Sequence, residues 1–303
     1  MKHFIKATEI WELNSNKTEL VLSKGIYENF KEFEEESNNL TFKYNEGLPG
    51  RAWAQKHPIV LTKFEGSYFK RAKLANKINI TAAIAMPIFA GEYLHSVVVF
   101  LCGDNEEHSG AIELWQANKD RVKEMELVDG YYGTMEDFEW ISRNIKIMKS
   151  QGLPGTVWET SMPLMMKNLG ESATFMRASK ATKAGITTAL ALPSWIEKED
   201  GYVITFLSGK NTPIARRFEI WLPFNDELVF SDGYSIGDID LFEVQKDVKY
   251  KKNDSSLGRV WSSGYPILCE KSDMQNAPGE YDAVLVLPLL EKGFFKGAVV
   301  FYY

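Results

Sequence analysis

Apolar and polar positions along this chain fall into short runs that suit strands more often than helices, and the runs recur in a fixed order. Residues 8–13 and 18–23 are two such runs, separated by Asn14-Ser15-Asn16-Lys17, a turn composition that predicts a hairpin. Residues 40–44 alternate apolar and polar, as a half-buried strand does. Gly47-Leu48-Pro49-Gly50 reads as a turn that starts a short helix bearing Trp53, and Pro58 opens a further strand. Residues 64–77 read as a helix or as irregular cover. Residues 82–89 and 93–101 are the two strongest strands, joined by a turn containing Gly91. Several strands with a helical insertion predict an α+β unit, an antiparallel sheet with helices or loops covering one face. Because residues 82–86 and 97–101 are apolar at consecutive positions, both faces of those strands need cover. The expectation is that sheet faces pack against neighbouring domains or a second chain.

The same order of elements then repeats. Gly47-Leu48-Pro49-Gly50-Arg51-Ala52-Trp53 returns as Gly152-Leu153-Pro154-Gly155-Thr156-Val157-Trp158, and in shortened form as Leu257-Gly258-Arg259-Val260-Trp261. A proline follows each motif, at Pro58, Pro163 and Pro266, and an apolar run follows each proline. Glu9-Ile10-Trp11 corresponds to Glu113-Leu114-Trp115 and Glu219-Ile220-Trp221. Each unit closes on a run of the type Val97-Val98-Val99-Phe100, Val203-Ile204-Thr205-Phe206 or Ala298-Val299-Val300-Phe301. A period of about a hundred residues predicts three tandem domains of ordinary size, spanning 1–106, 107–212 and 213–303. The polar stretches 102–110 and 208–213 mark the boundaries.

Each unit resembles a GAF domain. The resemblance rests on the Gly-Leu-Pro-Gly-(Arg)-x-Trp segment, the following proline and strand, and a Phe-x-Arg-Ala segment at Phe69-Lys70-Arg71-Ala72 and Phe175-Met176-Arg177-Ala178. It rests also on a strand ending in Met86-Pro87, Leu192-Pro193 or Leu287-Pro288, and on the last apolar strand. The resemblance covers essentially the whole chain, three times over, and implies three GAF-like α+β domains. Three departures stand out. The units are too short for the two flanking helices usual in the family, long helical linkers between units are absent, and the third unit is clipped. The span from Pro266 to Pro288 is seven or eight residues shorter than the corresponding spans, and 271–279 replaces the arginine-bearing segment.

Composition and charge narrow the function. The chain has 303 residues, 45% of them apolar and 25% charged, with a net charge of −6 from 35 basic and 41 acidic side chains. That is a globular composition without the basic surplus of a nucleic-acid binder. The most apolar stretches, 82–90 and 97–102, are too short to cross a bilayer, so no membrane partner is expected. The N-terminus has no apolar signal core, which sets the expected location in the cytoplasm. Cys102 and Cys269 make neither a disulfide framework nor a zinc site, and His3, His57, His95 and His108 have no ligand spacing. No metal or cofactor is expected.

The candidate chemistry is correspondingly modest. The Gly-Leu-Pro-Gly turn lacks the lysine-serine pair of a phosphate loop and reads as structural. Trp53, Trp158 and Trp261 read as core anchors, and Trp11, Trp115 and Trp221 as strand packing. The resemblance implies that Arg71 and Arg177 lie in the segment covering a ligand pocket, where a guanidinium could fork onto a carboxylate or phosphate; the alternative is an ion-paired arginine. Phe64, Tyr68, Phe69, Phe175 and Met176 would wall such a pocket, or simply pack in the core. No unit holds a cysteine pair for reductase chemistry, and no Gly-x-Ser-x-Gly elbow is present. These readings lead to a non-catalytic sensory, small-molecule-binding protein that signals in trans, its ligand in the first or second domain and its partner a homodimer mate or a separate signalling protein. The alternative is a structural or protein-interaction module without ligand. A redox enzyme using Cys102 ranks third.

Overall fold

The computed structural model describes residues 4–27, 29–103, 110–118, 123–194, 201–209, 213–237, 239–270 and 281–303. The first repeat runs β1 (Ile5–Leu13), β2 (Glu19–Tyr27), α1 (Lys31–Asn38), β3 (Thr41–Lys43), α2 (Gly47–Gln55), β4 (Ile59–Leu61), α3 (Ala72–Lys77), β5 (Ile80–Ala90) and β6 (Tyr93–Gly103). The second follows with β7 (Gly110–Ala117), β8 (Glu124–Tyr131), α4 (Glu136–Asn144), β9 (Ile147–Met148), α5 (Gly152–Thr160), β10 (Leu164–Lys167), α6 (Ala178–Ala184), β11 (Ile186–Ser194) and β12 (Tyr202–Gly209). The third comprises β13 (Arg217–Phe224), β14 (Glu227–Ser235), α7 (Leu241–Gln245), β15 (Lys249–Tyr250), α8 (Ser255–Ser263), β16 (Ile267–Glu270), β17 (Ala283–Glu291) and β18 (Phe294–Tyr302).

Among the described residues these strands form three six-stranded sheets of one topology: β3-β2-β1-β6-β5-β4, β9-β8-β7-β12-β11-β10 and β15-β14-β13-β18-β17-β16. The chain is therefore built of three antiparallel α+β repeats of one sheet topology, the fold class that the resemblance implies. The predicted hairpin, the edge strand after it and the two long closing strands all form. One class of element is absent from the sequence reading: a helix after the first hairpin of each repeat, α1, α4 and α7. The acidic run Glu34-Glu35-Glu36 reads as a solvated face, yet Phe33 and Ser37, four residues apart on α1, are both buried. Phe138 and Ser142 repeat that spacing on α4. The proposed boundary residues 106, 107 and 212, and the replacement segment 271–279, lie outside the described residues.

By internal contacts the chain divides into two compact units, one of Met1–Lys6, Lys56–Ala85 and Leu101–Ile214, the other of Ala7–Gln55, Met86–Phe100 and Ala215–Tyr303. The second sheet lies whole in one unit and the third whole in the other. Within the first unit, β4 packs beside β7 and β8, and the His57 ring stacks on Tyr202 with centroids 4.4 Å apart. Within the second, β16 packs beside β2, Lys24 pairs with Glu270 at 3.3 Å, and Tyr265 stacks on His95 at 4.2 Å. Both stacks place the residue ahead of a repeat's proline (His57, Tyr265) on a ring near the start of another repeat's last strand. Within each unit, neighbouring repeats thus meet at these strands and rings. No described helix is long and apolar enough to cross a membrane.

The recurrent glycine motif lies inside a helix rather than ahead of it, and its second glycine is there for space. A Cβ on Gly50, Gly155 or Gly258 would sit 2.1, 2.1 or 2.0 Å from the carbonyl oxygen of Lys43, Met148 or Lys251 in the adjoining edge segment. Positive φ falls on the motif's first residue, Gly47 and Gly152 at +60° and +58°, with Ser255 at 62° in the third repeat. Gly155→Ala should therefore cost more than about 2 kcal/mol, because backbone must move. Gly66→Ala, with φ +70° but open space around it, should cost about 1 kcal/mol. Urea midpoints of the two variants check this ranking.

Candidate functional site

The first strand of every repeat carries a glutamate and a tryptophan two residues apart, and side chains at that spacing leave a strand on the same face. That face is the buried one. Glu9, Glu113 and Glu219 are fully buried, as are Trp11, Trp115 and Trp221. A β-bulge sits at the same place each time, between Ile10 and Trp11, Leu114 and Trp115, and Ile220 and Trp221, with an extra residue on the partner strand. In all three repeats the indole Nε1 donates to the glutamate at 2.9–3.0 Å. These indoles are strand packing, as read from the sequence, and are also hydrogen-bond donors to a carboxylate. The helix tryptophans, read as core anchors, lie at the margin of the core, Trp158 and Trp261 packing against it while partly exposed. Trp53, Trp158 and Trp261 are half-buried, with Tyr44 edge-on to the first, and Lys149 and Lys252 over the second and third.

In the second repeat the carboxylate is saturated. Glu113 accepts from Trp115, from the Tyr132 hydroxyl at 3.0 Å, from Thr205 on the neighbouring strand at 2.9 Å, and from both terminal nitrogens of Arg177, Nη2 at 2.9 Å. Arg177 also donates to Ser142 on α4, and its guanidinium lies 4.8–5.4 Å from the ring centres of Phe138, Phe175 and Trp115. Burial alone would push the Glu113 carboxyl up; the Arg177 charge, with hydrogen bonds from Arg177, Trp115 and Thr205, outweighs it and holds the group below its ordinary range. Burial and the Glu113 charge push the Tyr132 phenol up, so it stays a donor.

The third repeat keeps the glutamate and tryptophan and replaces the other partners. Arg217, two residues before Glu219 on β13, pairs with it in place of an arginine outside the sheet. Gln245, at the α7 position that matches Ser142, donates to Glu219 at 3.0 Å, and Tyr302 on β18 donates at 2.8 Å. Arg217 lies opposite Tyr302 in register, its guanidinium 5.0 Å from the ring. In the first repeat Glu9 accepts from Trp11 and from Tyr27 at 2.8 Å. The Glu-x-Trp signal was in the sequence; Arg217 and Gln245 had no repeat partner of their own type to mark them.

The sequence-derived pocket residues fall as follows. Arg177 and Phe175 are buried together beside Glu113, and Met176 between them is 51% exposed. Phe64 and Phe69 are buried and stacked at 4.4 Å, Arg71 is buried with its guanidinium 5.5 Å from the Phe69 ring, and Tyr68 is half-buried. Both arginines occupy the residue immediately before a short helix, α3 or α6, rather than a place within it. A surface cleft of about 530 Å³ opens in the third repeat, lined by Asn225, Asp226, Glu227, Lys251, Lys252 and Trp261. Cys102 is fully buried at the end of β6, where burial pushes its thiol up and away from the reactive thiolate. Cys269 Sγ lies 3.7 Å from the Ser256 hydroxyl. Among the described residues no group of three His, Cys, Asp or Glu side chains gathers to hold a metal.

No protein-family model matches the sequence, and no curated protein does. Among solved structures, the chain is similar to the GAF domain of an Acinetobacter phosphoenolpyruvate-protein phosphotransferase, at 14% identity and TM-score 0.26 over 34% of this chain and 57% of that one. It is similar to the GAF domain of the phosphoenolpyruvate-protein phosphotransferase ptsP from Coxiella burnetii, at 21% identity and TM-score 0.27 over 34% and 62%. The second GAF domain of DevS from Mycobacterium smegmatis matches at 22% identity and TM-score 0.24 over 29% and 59%. This chain spans about three-fifths of the length of each of those chains.

The charge balance at Glu113 sets a pH-dependent expectation. A carboxyl held below its unfolded value contributes stability above the ordinary carboxylate range, and loses it as pH falls through the lowered value. Arg177→Met leaves the buried charge alone and should cost about 3–5 kcal/mol at pH 7. Without the arginine, burial prevails and raises the Glu113 carboxyl, so acidification protonates it and the penalty shrinks. Urea unfolding at pH 7 and pH 5 measures this; a gap between the two proteins that does not narrow would contradict it.

Proposed function

We propose that the chain is a non-catalytic binding protein of three GAF-like domains, spanning 1–106, 107–212 and 213–303, that works through protein–protein contacts. The partner is a second copy or a separate signalling protein. The observation that carries this reading is the state of Arg177. Its guanidinium is committed to Glu113 and Ser142 and walled by Phe138, Phe175 and Trp115, so an anionic ligand would have to displace an ion pair already formed. Around the guanidinium the second repeat already places Phe138, Phe175 and Trp115. The surface offers better material for contact. Phe224, at the end of β13, is 64% exposed and Phe294, at the start of β18, is 75% exposed, both at one end of the third sheet.

Small-molecule sensing in the first or second domain is the second reading. It is favoured by the gathering of Phe64, Phe69 and Arg71, an aromatic pair with a guanidinium beside it. Native mass spectrometry of the full chain purified from its own host separates the two. The interaction reading expects the bare polypeptide, its multiples or a protein complex. A retained small molecule of fixed mass would overturn it in favour of sensing.

A further inference from the structure

We propose that the Glu113–Arg177 pair is a latch: it ties the cover segment of the second repeat to the sheet, so that α6 leaves only when the repeat's core comes apart. This goes beyond the proposed function, because a filled interior could equally arise from apolar packing with a cover free to swing.

Three observations carry it. First, the two halves of the pair belong to different layers. Glu113 is on β7 in the centre of the sheet, between β8 and β12, whereas Arg177 is the residue immediately before α6. Lifting α6 therefore separates the charges. Second, among the described residues the other donors to Glu113, namely Trp115, Tyr132 and Thr205, are neutral. Were the arginine withdrawn, a fully buried carboxylate would keep hydrogen bonds and lose its countercharge. Arg177 also reaches Ser142, so it joins α4 and α6 to the sheet at one point.

Third, the chain contains the alternative wiring. In the third repeat the equivalent carboxylate, Glu219, is neutralised from within the sheet by Arg217, with Gln245 supplying a neutral donor from α7. There the glutamate keeps its countercharge on its own strand. The position matching Arg217 in the second repeat is Ala111, also fully buried. One fold thus carries two solutions to the same buried charge, and in the second repeat the cation comes from the residue ahead of α6.

Hydrogen exchange of the full chain at single-amide resolution tests this. The amides of Lys180 and Ala181, bonded to the Arg177 carbonyl at 3.1 and 2.9 Å, report on the start of α6. In the unaltered protein they should exchange within about tenfold of amides on β11 and β12, since they open by the same event. Exchange more than about a hundredfold faster than those strands would overturn the latch, and this arm needs no variant. Moving the arginine to the sheet with Ala111→Arg and Arg177→Met transplants the third repeat's wiring. In that double variant α6 exchange should rise at least about tenfold over β11 while the strands stay protected. An α6 that still follows the strands would show that packing, not the ion pair, holds the cover.

Discussion

A carboxylate placed at the centre of a sheet and cut off from water has to find donors for both oxygens and a positive charge close by, or lose its proton-free form. That requirement recurs three times in this chain, at Glu9, Glu113 and Glu219, always with the indole of a tryptophan two residues on as one of the donors. Much else is arranged around it. The tyrosine hydroxyl reaches the glutamate in each repeat, and the helix after the first hairpin adds Ser142, through Arg177, in the second and Gln245 in the third. The apolar surroundings matter as much as the donors, since Phe138 and Phe175 close off the guanidinium that answers Glu113.

Internal repetition makes this a comparison within one molecule. The second repeat brings its arginine from the cover and its hydroxyls from Tyr132, Thr205 and, through Arg177, Ser142. The third repeat, clipped between Pro266 and Pro288, brings the arginine from β13, a hydroxyl from Tyr302 and an amide from Gln245. The glutamate and tryptophan stay while the remaining partners change together. Such joint change is what a strict charge and hydrogen-bond balance demands, because an unmatched buried carboxylate costs more than any one partner contributes.

How much of this was legible beforehand follows from where the information lies. Strands, hairpins and the glycine motif are local, and residues 8–23 or 82–101 announce them by pattern and turn chemistry. The threefold order of landmarks announces the domains. Arg71 and Arg177 stood out because they repeat, and Arg177 proved to be ion-paired, one of the two readings open to it. The glycine motif was read as a turn that starts a helix, whereas Gly155 is forced by a carbonyl oxygen from Met148, a contact that spacing does not reveal. Helices α1 and α4 were hidden by charge, and the Phe-x-x-x-Ser spacing they share was the available signal; α7, five residues long, is too short to show a helical period. Arg217 was harder still. One of two adjacent arginines at the start of a strand looks solvated until Glu219 is known to point to the same buried face, which is a tertiary fact.

The account stands or falls on whether the buried charge pair is energetically coupled rather than merely adjacent. A double-mutant cycle in the third repeat measures that directly, with Arg217→Met, Glu219→Gln and the two combined, each read as an unfolding free energy at pH 7. The buried-carboxylate account predicts that the singles and the double fail to add by more than about 1.5 kcal/mol, Arg217→Met being the costlier single change because it leaves Glu219 charged. Additivity within about 0.5 kcal/mol would mean that the two side chains lie together without depending on each other, and would contradict it.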